Sequence, residues 1–486
     1  MSNTSSRKEV TFIHVLLPIL FLMTLIVYGL ILQPQVFGKE AFPLEIVFLL
    51  ATVFSVAHLM IIGFKWKRIQ KAIVKKLAKG FPAVLILFAI GLVIGSWIIS
   101  GTIPMLIYYG IKIINPNYMY ALAFLIPVLF STLTGTSWGS VGTIGTVIIG
   151  IAATVDAHLG ITAGAIIGGA YMGDKLSPLS DTTNLAAIAT NVNLYDHIRS
   201  MMYTTLPSAI IALVLFFILG FTHPPTISIV ESVETTSILV SIDALFQFNI
   251  MLLLPPLVVL YGSLKKKATL PTLLASSINA CIMALVFQDF EIGQIITSLK
   301  SGFDTSMATW VTAVPEKLNV LFNRGGLFEL NEVIVFTLMA LTFIGTLDVT
   351  NAMPRIVNRV FSFAKTKSAV ILATLGSTAF TNAITSNQSA TSFIIGDAFR
   401  HTYDRLKISR KVLSRSIEDY GTMIESLIPW SATSLFMVAT LGVSYADYWH
   451  WQFLSLINLV IAPLIAILGI GCFYRKKNSE NKDLED

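Results

Sequence analysis

The sequence predicts an all-α integral membrane protein of about ten transmembrane helices, arranged as two inverted-topology repeats that each carry a re-entrant hairpin and a discontinuous helix. Three observations predict it. Apolar residues make up 55% of the 486-residue chain and charged residues 12%, with a mean hydropathy of +0.76. A short polar pattern occurs twice, TSWGS at 136–140 and TSNQS at 385–389, each followed by a proline-broken polar stretch, LSPLSDTT at 176–183 and LIPWSATS at 427–434. The links that follow the two hairpins differ in charge: 156–160 has no Lys or Arg, whereas 400–415 is rich in both.

A bilayer core about 30 Å thick takes roughly 20 apolar residues per helical crossing, which residues 11–33, 42–64 and 81–100 each supply. Between the last two, residues 65–79 carry seven basic side chains and no acid. The positive-inside rule places that run in the cytoplasm, with Arg7 and Lys8 of the N-terminus on the same side. Residues 81–114 run outward, interrupted at Gly101 and Pro104. Two arms between Tyr118 and Val155 then flank TSWGS as a hairpin open to the outside. Residues 161–191 cross with a break at Ser177 and Pro178 and return inside near His197 and Arg199, and 198–221 cross outward.

The connector 222–248 has Glu231, Glu234 and Asp243 but no Lys or Arg, and is placed outside. Residues 250–264 return to the cluster Lys265, Lys266 and Lys267, and 270–287 go out. The stretch 288–330, mixed in charge, is expected to be an external or interfacial amphipathic piece. Residues 333–353 cross inward to Arg355 and Arg359, arms between Ala369 and Phe399 flank TSNQS, and the basic link 400–415 is cytoplasmic. The two hairpins therefore enter from opposite sides, as inverted repeats do. The repeats are expected at 42–222 and 268–474 within one polytopic domain spanning 1–486, with both termini cytoplasmic.

A helix broken in lipid leaves backbone groups unpaired unless they face protein or a water-filled cavity, and Pro178 and Pro429 each remove a donor and clash with the preceding turn. At the four breaks the side chains are mostly hydroxyls and amides: Thr136, Ser137 and Ser140; Ser177, Ser180, Thr182, Thr183 and Asn184; Thr385, Ser386, Asn387, Gln388 and Ser389; Ser431, Thr433 and Ser434. Such neutral oxygens, with carbonyls freed at the breaks, can replace the hydration shell of a small hard cation. Sodium suits them better than a transition metal, which wants His or Cys.

A carboxylate at mid-bilayer costs about 2.5–3.5 kcal/mol and is a functional candidate for that reason. Asp174 and Asp181, seven residues apart, lie on nearly the same helix face. Glu425 stands four residues before Pro429, as Asp174 stands four before Pro178. Desolvation favours a protonated carboxyl and an arriving cation favours the ionised one, so competition for one carboxylate is enough to build an exchanger. Lys175 points away from its neighbour Asp174 and is expected to neutralise another acid. Asp397, close to the basic link, reads as a helix-end charge, and Asp348 has no role assigned.

The net charge of +6 lies in loops and reports orientation, which excludes a nucleic-acid partner. Cys281 and Cys472 are far apart in apolar runs and read as packing residues. The seven histidines show no ligand spacing. Gly135 to Gly139 matches the G-x-S-x-G nucleophile elbow, but that elbow needs a strand before it and here the flanks are membrane helices, so the chain is read as no enzyme.

The stretch GGAYMGDKLSPLSDTTNLAA at 168–187, with RGGL at 324–327, closely resembles the NhaC family of bacterial sodium/proton antiporters, within the wider ion-transporter superfamily. The resemblance implies an elevator in a bacterial cell membrane, with a scaffold part and a mobile transport part carrying both hairpins. It implies cation contacts for Asp174, Ser177, Ser180, Asp181, Thr182 and Asn184, with the TSWGS and TSNQS tips closing the site. Family members also resemble malate/lactate exchangers and amino-acid carriers, but the broken helices supply no Arg clamp for a dicarboxylate. The expectation is therefore exchange of Na+, or Li+, for H+ with no cofactor. The partners are the bilayer and small inorganic cations, alternatively a small organic acid, and elevator carriers supply the analogy for a homodimer.

Overall fold

In the computed structural model the described residues are 10–225, 233–311, 313–360 and 364–474, and their regular structure is helical throughout. Arg7, Lys8 and Glu231, used above for orientation, lie outside the described residues, as does the side chain of Glu234. Among the described residues nine helices are long and apolar enough to cross a membrane, or up to twelve spans if each of three bent helix pairs counts as one. The expected ten falls within that range.

Four segments differ from their sequence reading. The basic run 65–79 is no loop but the first half of the 34-residue helix Trp66–Ile99, because Lys and Arg favour helix and Ile69 and Ile73 give the run a buried edge. The connector after residue 222 contains the helix Val233–Leu245, and the chain bends by 94° before Ile250–Leu264. The stretch 288–330 is not confined to an outer surface. It contains Ile292–Ser301 and Glu316–Phe322, and it folds back onto Trp66–Ile99 through Ser298 Oγ to the Gly95 carbonyl at 3.1 Å and the Gly326 N–H to the Gly91 carbonyl at 2.8 Å. A Cβ on Gly91 would lie 2.3 Å from the Gly326 carbonyl oxygen. The basic link shrinks to residues 406–409, since Gln388–Arg405 and Arg410–Tyr420 are helical. Arg415 is buried, donating to the Gly471 carbonyl at 3.0 Å.

Proline alone does not break these helices. Pro82, Pro127, Pro207 and Pro463 all sit inside continuous ones. At Pro178 and Pro429 the chain leaves the helix because a new one starts immediately after, capped by Ser180 accepting from the Thr183 N–H and Ser431 accepting from the Ser434 N–H. A serine at that position satisfies one of the orphan donors of the first turn. The two breaks thus separate Leu159–Leu176 from Asp181–Thr190, and Arg410–Leu427 from Ala432–Leu441.

The same local features recur 251 residues later. Gly135 and Ser386 both have positive φ, at 67° and 43°. Thr136 and Asn387 are both N-caps, Pro178 matches Pro429, Ser180 matches Ser431, and Asp174 matches Glu425. Asn191 and Gly442 close the helices after the breaks with φ of 54° and 68°. This offset corrects one detail of the sequence reading: TSWGS and TSNQS align by spelling at an offset of 249, two residues out of the structural register.

Lipid tails are as apolar as Leu, so helices in a membrane associate through close packing of small residues. Met119–Thr134 and Leu159–Leu176 lie side by side in the same direction because Gly169 and Gly173 admit the neighbouring backbone. A Cβ at either would come within 2.1 Å of the Phe124 carbonyl oxygen or 2.4 Å of that of Val128. That contact brings the TSWGS tip level with the first break.

Candidate functional site

At the first break the Ser177 hydroxyl donates to the Thr132 carbonyl at 2.8 Å and accepts the Leu179 N–H at 3.2 Å. These bonds fasten the broken strand of chain to the helix that leads into the tip. Gly135 lies so close to Leu179 that a Cβ would meet its backbone at 2.6 Å, which together with its positive φ leaves glycine as the fitting residue. The tip then turns into the helix Ser137–Thr154, and its Ser137 N–H donates to Asp174 Oδ2 at 3.1 Å. Asp174 is 5% exposed, and its Oδ1 has no hydrogen-bond partner among the described residues.

The second half holds its acid by side chains. Glu425 Oε2 accepts from Thr433 Oγ1 at 3.0 Å and Oε1 from Asn382 Nδ2 at 3.4 Å. Asn382 also donates to the Gly421 carbonyl at 2.9 Å, and Trp430 Nε1 donates to the Ala383 carbonyl at 2.9 Å, so tip helix and broken helix are again tied together next to the break. A Thr hydroxyl closes each tip on itself: Thr134 with Ser140 at 3.2 Å, and Thr385 with Thr391 at 3.1 Å.

Both breaks and both tips open onto one cavity of about 240 Å³. Of the sequence-predicted residues, Thr136, Ser137, Asp174, Ser180, Asp181, Thr182, Thr385, Ser386, Asn387, Ser389, Glu425 and Thr433 line it. Thr183, Ser434 and four others do not line it. Ser140 donates to the Thr136 carbonyl at 2.7 Å, Ser177 is engaged with Thr132, Asn184 donates to the carbonyls of Pro178 and Ser180, and Ser431 donates to the Glu425 carbonyl at 2.6 Å. Each bonds a backbone carbonyl at a break or a tip, which explains why a polar residue stands there. Among the described residues no three His, Cys, Asp or Glu side chains converge as a metal cluster.

A model of the Na+/H+ antiporter family matches residues 169–470. That segment holds both breaks and the second tip. The chain belongs to the Na+/H+ antiporter family. An uncharacterised Na+/H+ antiporter of Haemophilus influenzae is 37% identical over 98% of this chain and 100% of its own length. A malate-2H+/Na+-lactate antiporter of Bacillus subtilis is 34% identical, covering 86% of this chain and 88% of that protein. The Na+/H+ antiporter NhaC of Alkalihalophilus pseudofirmus is 32% identical, covering 88% and 90%. The resemblance read from residues 168–187 is borne out.

Sequence reasoning missed an ionic layer behind the cavity of this family member. Lys175 pairs with Asp419 at 2.5 Å, with side chains 0% and 1% exposed, so Lys175 does neutralise an acid other than Asp174. Asp419 Oδ1 also accepts from Thr204 Oγ1 at 2.9 Å and Asn458 Nδ2 at 3.4 Å. Glu418 beside it is buried and accepts from Thr422 Oγ1 at 2.6 Å. His197 is buried against Ser414 at 2.8 Å, not in a loop. Asp348 pairs with Lys76 at 3.3 Å, and Asp397 pairs with Arg400. In the cavity wall itself Thr422 and Trp138 join the residues picked out from sequence, and Gln388, one of those residues, lines it too.

Proposed function

We propose that this chain is a secondary active transporter that exchanges Na+ for H+ at the cavity between the two breaks. The observation that carries the reading is the convergence of Asp174, Asp181 and Glu425 with hydroxyl and amide oxygens from both halves on one space, in a chain whose relatives include NhaC. Asp174 and Asp181 are the exchangeable carboxylates and Glu425 is a supporting acid. When a proton leaves, Na+ takes its place against the carboxylate, and oxygens such as those of Thr136, Ser137, Ser180, Thr385, Asn387 and Thr433 substitute for its water shell.

The constant offset between 135–191 and 386–442 supports two repeats, which we place at 42–222 and 268–474, and the different charge of their links supports their inversion, with Lys65, Lys67 and Arg68 cytoplasmic. In this reading the two tips and broken helices move as one body against the rest of a homodimeric scaffold in the cell membrane, and both termini are cytoplasmic. Li+ is the alternative cargo. A second reading, proton- and sodium-coupled exchange of an organic acid, draws support from the Bacillus subtilis relative, but among the described residues no Lys or Arg lines the cavity to hold a dicarboxylate. The test is Na+-dependent proton flux in vesicles carrying Asp174→Asn or Asp181→Asn. Loss of flux is expected in each, and full activity in both sinks the assignment.

A further inference from the structure

The cavity is larger than a bare cation requires. Its volume of about 240 Å³ is many times the roughly 10–15 Å³ of cavity space that one water molecule needs. Three carboxylates face it, and among the described residues no Lys, Arg or His does. Ile86, Ala340, Leu341 and Ile344 give it an apolar stretch of wall. Trp138 adds an aromatic one, held against Phe436 with ring centroids 4.7 Å apart and planes within 13°.

An alkali ion uses the oxygens of such a space and gains nothing from the apolar wall. A dianion would meet three acids with no counter-charge, which Coulomb repulsion opposes. An organic cation uses both parts: its N–H groups meet the carboxylates, including Asp174 Oδ1, which lacks a partner among the described residues, its alkyl carbons lie on Leu341 and Ile344, and its charge gains from the Trp138 ring.

We propose that the cavity also transports small alkyl-substituted organic monocations, of the ammonium or guanidinium type, in exchange for protons. The inference rests on the reading of these carboxylates as the exchange site. The test uses the purified full-length chain in liposomes with an acidic interior and labelled methylguanidinium outside, a probe that stays charged and so does not cross as a free base. The expected result is protein-dependent accumulation that is lost when a protonophore collapses the gradient and is suppressed by excess Na+. Uptake no greater than in protein-free liposomes, in a preparation that exchanges Na+ for H+, overturns this inference and leaves the Na+ reading standing. Uptake of methylguanidinium without any Na+ exchange overturns the Na+ reading and keeps the inference. Uptake indifferent to Na+ overturns the shared site.

Discussion

Removing one partner of the Lys175–Asp419 pair strands a charge where water does not reach. Lys175 ends the helix before the first break and Asp419 lies on the helix before the second, while Thr204 and Asn458 bond the same carboxylate oxygen from two further helices. Asp419→Asn keeps an oxygen for Thr204 and Asn458 and deletes only the negative charge. Loss of one member of a buried ion pair costs about 3–5 kcal/mol, and Lys175→Met is expected to cost a similar amount by freeing the carboxylate. The double variant Lys175→Met/Asp419→Asn carries no stranded charge, so its loss is expected to be smaller than the sum of the two single losses by about 3 kcal/mol, the upper end of coupling between contacting residues. Equilibrium unfolding in mixed micelles, followed by tryptophan fluorescence, measures all three. Additive losses would refute the claim that this pair ties the two breaks together.

Gly173→Leu drives a side chain toward the Val128 carbonyl, which a Cβ already meets at 2.4 Å. It is expected to lose about 1–3 kcal/mol by overpacking and to lose transport, whereas Gly293→Ala, with nothing within 4 Å of its Cβ, is expected to leave both unchanged in the same assays. Arg324 donates to the carbonyls of Ala439 and Thr440 at 3.2 and 2.6 Å, at the end of the helix after the second break. Arg324→Gln should cost about 1.5–3 kcal/mol in micelle unfolding, and Arg324→Lys should not restore it, because an ammonium lacks the planar fork. The proposed competition of protons and Na+ for the same carboxylates predicts that lowering the pH raises the KM for Na+ while the rate at saturating Na+ stays constant. A pH-independent KM in vesicle flux would count against competition.

Much of this site could be read in advance because breaking a membrane helix requires conspicuous chemistry. Ser177, Pro178 and Ser180, and again Pro429 and Ser431, announce freed backbone, and Asp174 and Glu425 stand out because acids are rare at that depth. The spelling TSxxS misled by two residues, since what the fold repeats is backbone: a left-handed residue at Gly135 and Ser386, then an N-cap at Thr136 and Asn387. Glu418 and Asp419 escaped notice because Arg410, Lys411 and Arg415 just before them read as a water-facing link, whereas helix Arg410–Tyr420 buries Arg415, Glu418 and Asp419 together. No local pattern told that Lys175 and Asp419, 244 residues apart, would meet. Ser140, Ser177, Asn184 and Ser431 attract attention for their oxygens, but the three hydroxyls and the Asn184 amide nitrogen all donate to backbone carbonyls.

Simultaneous recording of radioactive sodium uptake and internal pH in the same proteoliposomes addresses the exchange most directly. Sodium entering only as protons leave, with both fluxes abolished together in Asp174→Asn, is the predicted result. Sodium entry that continues unchanged when no proton moves would contradict it.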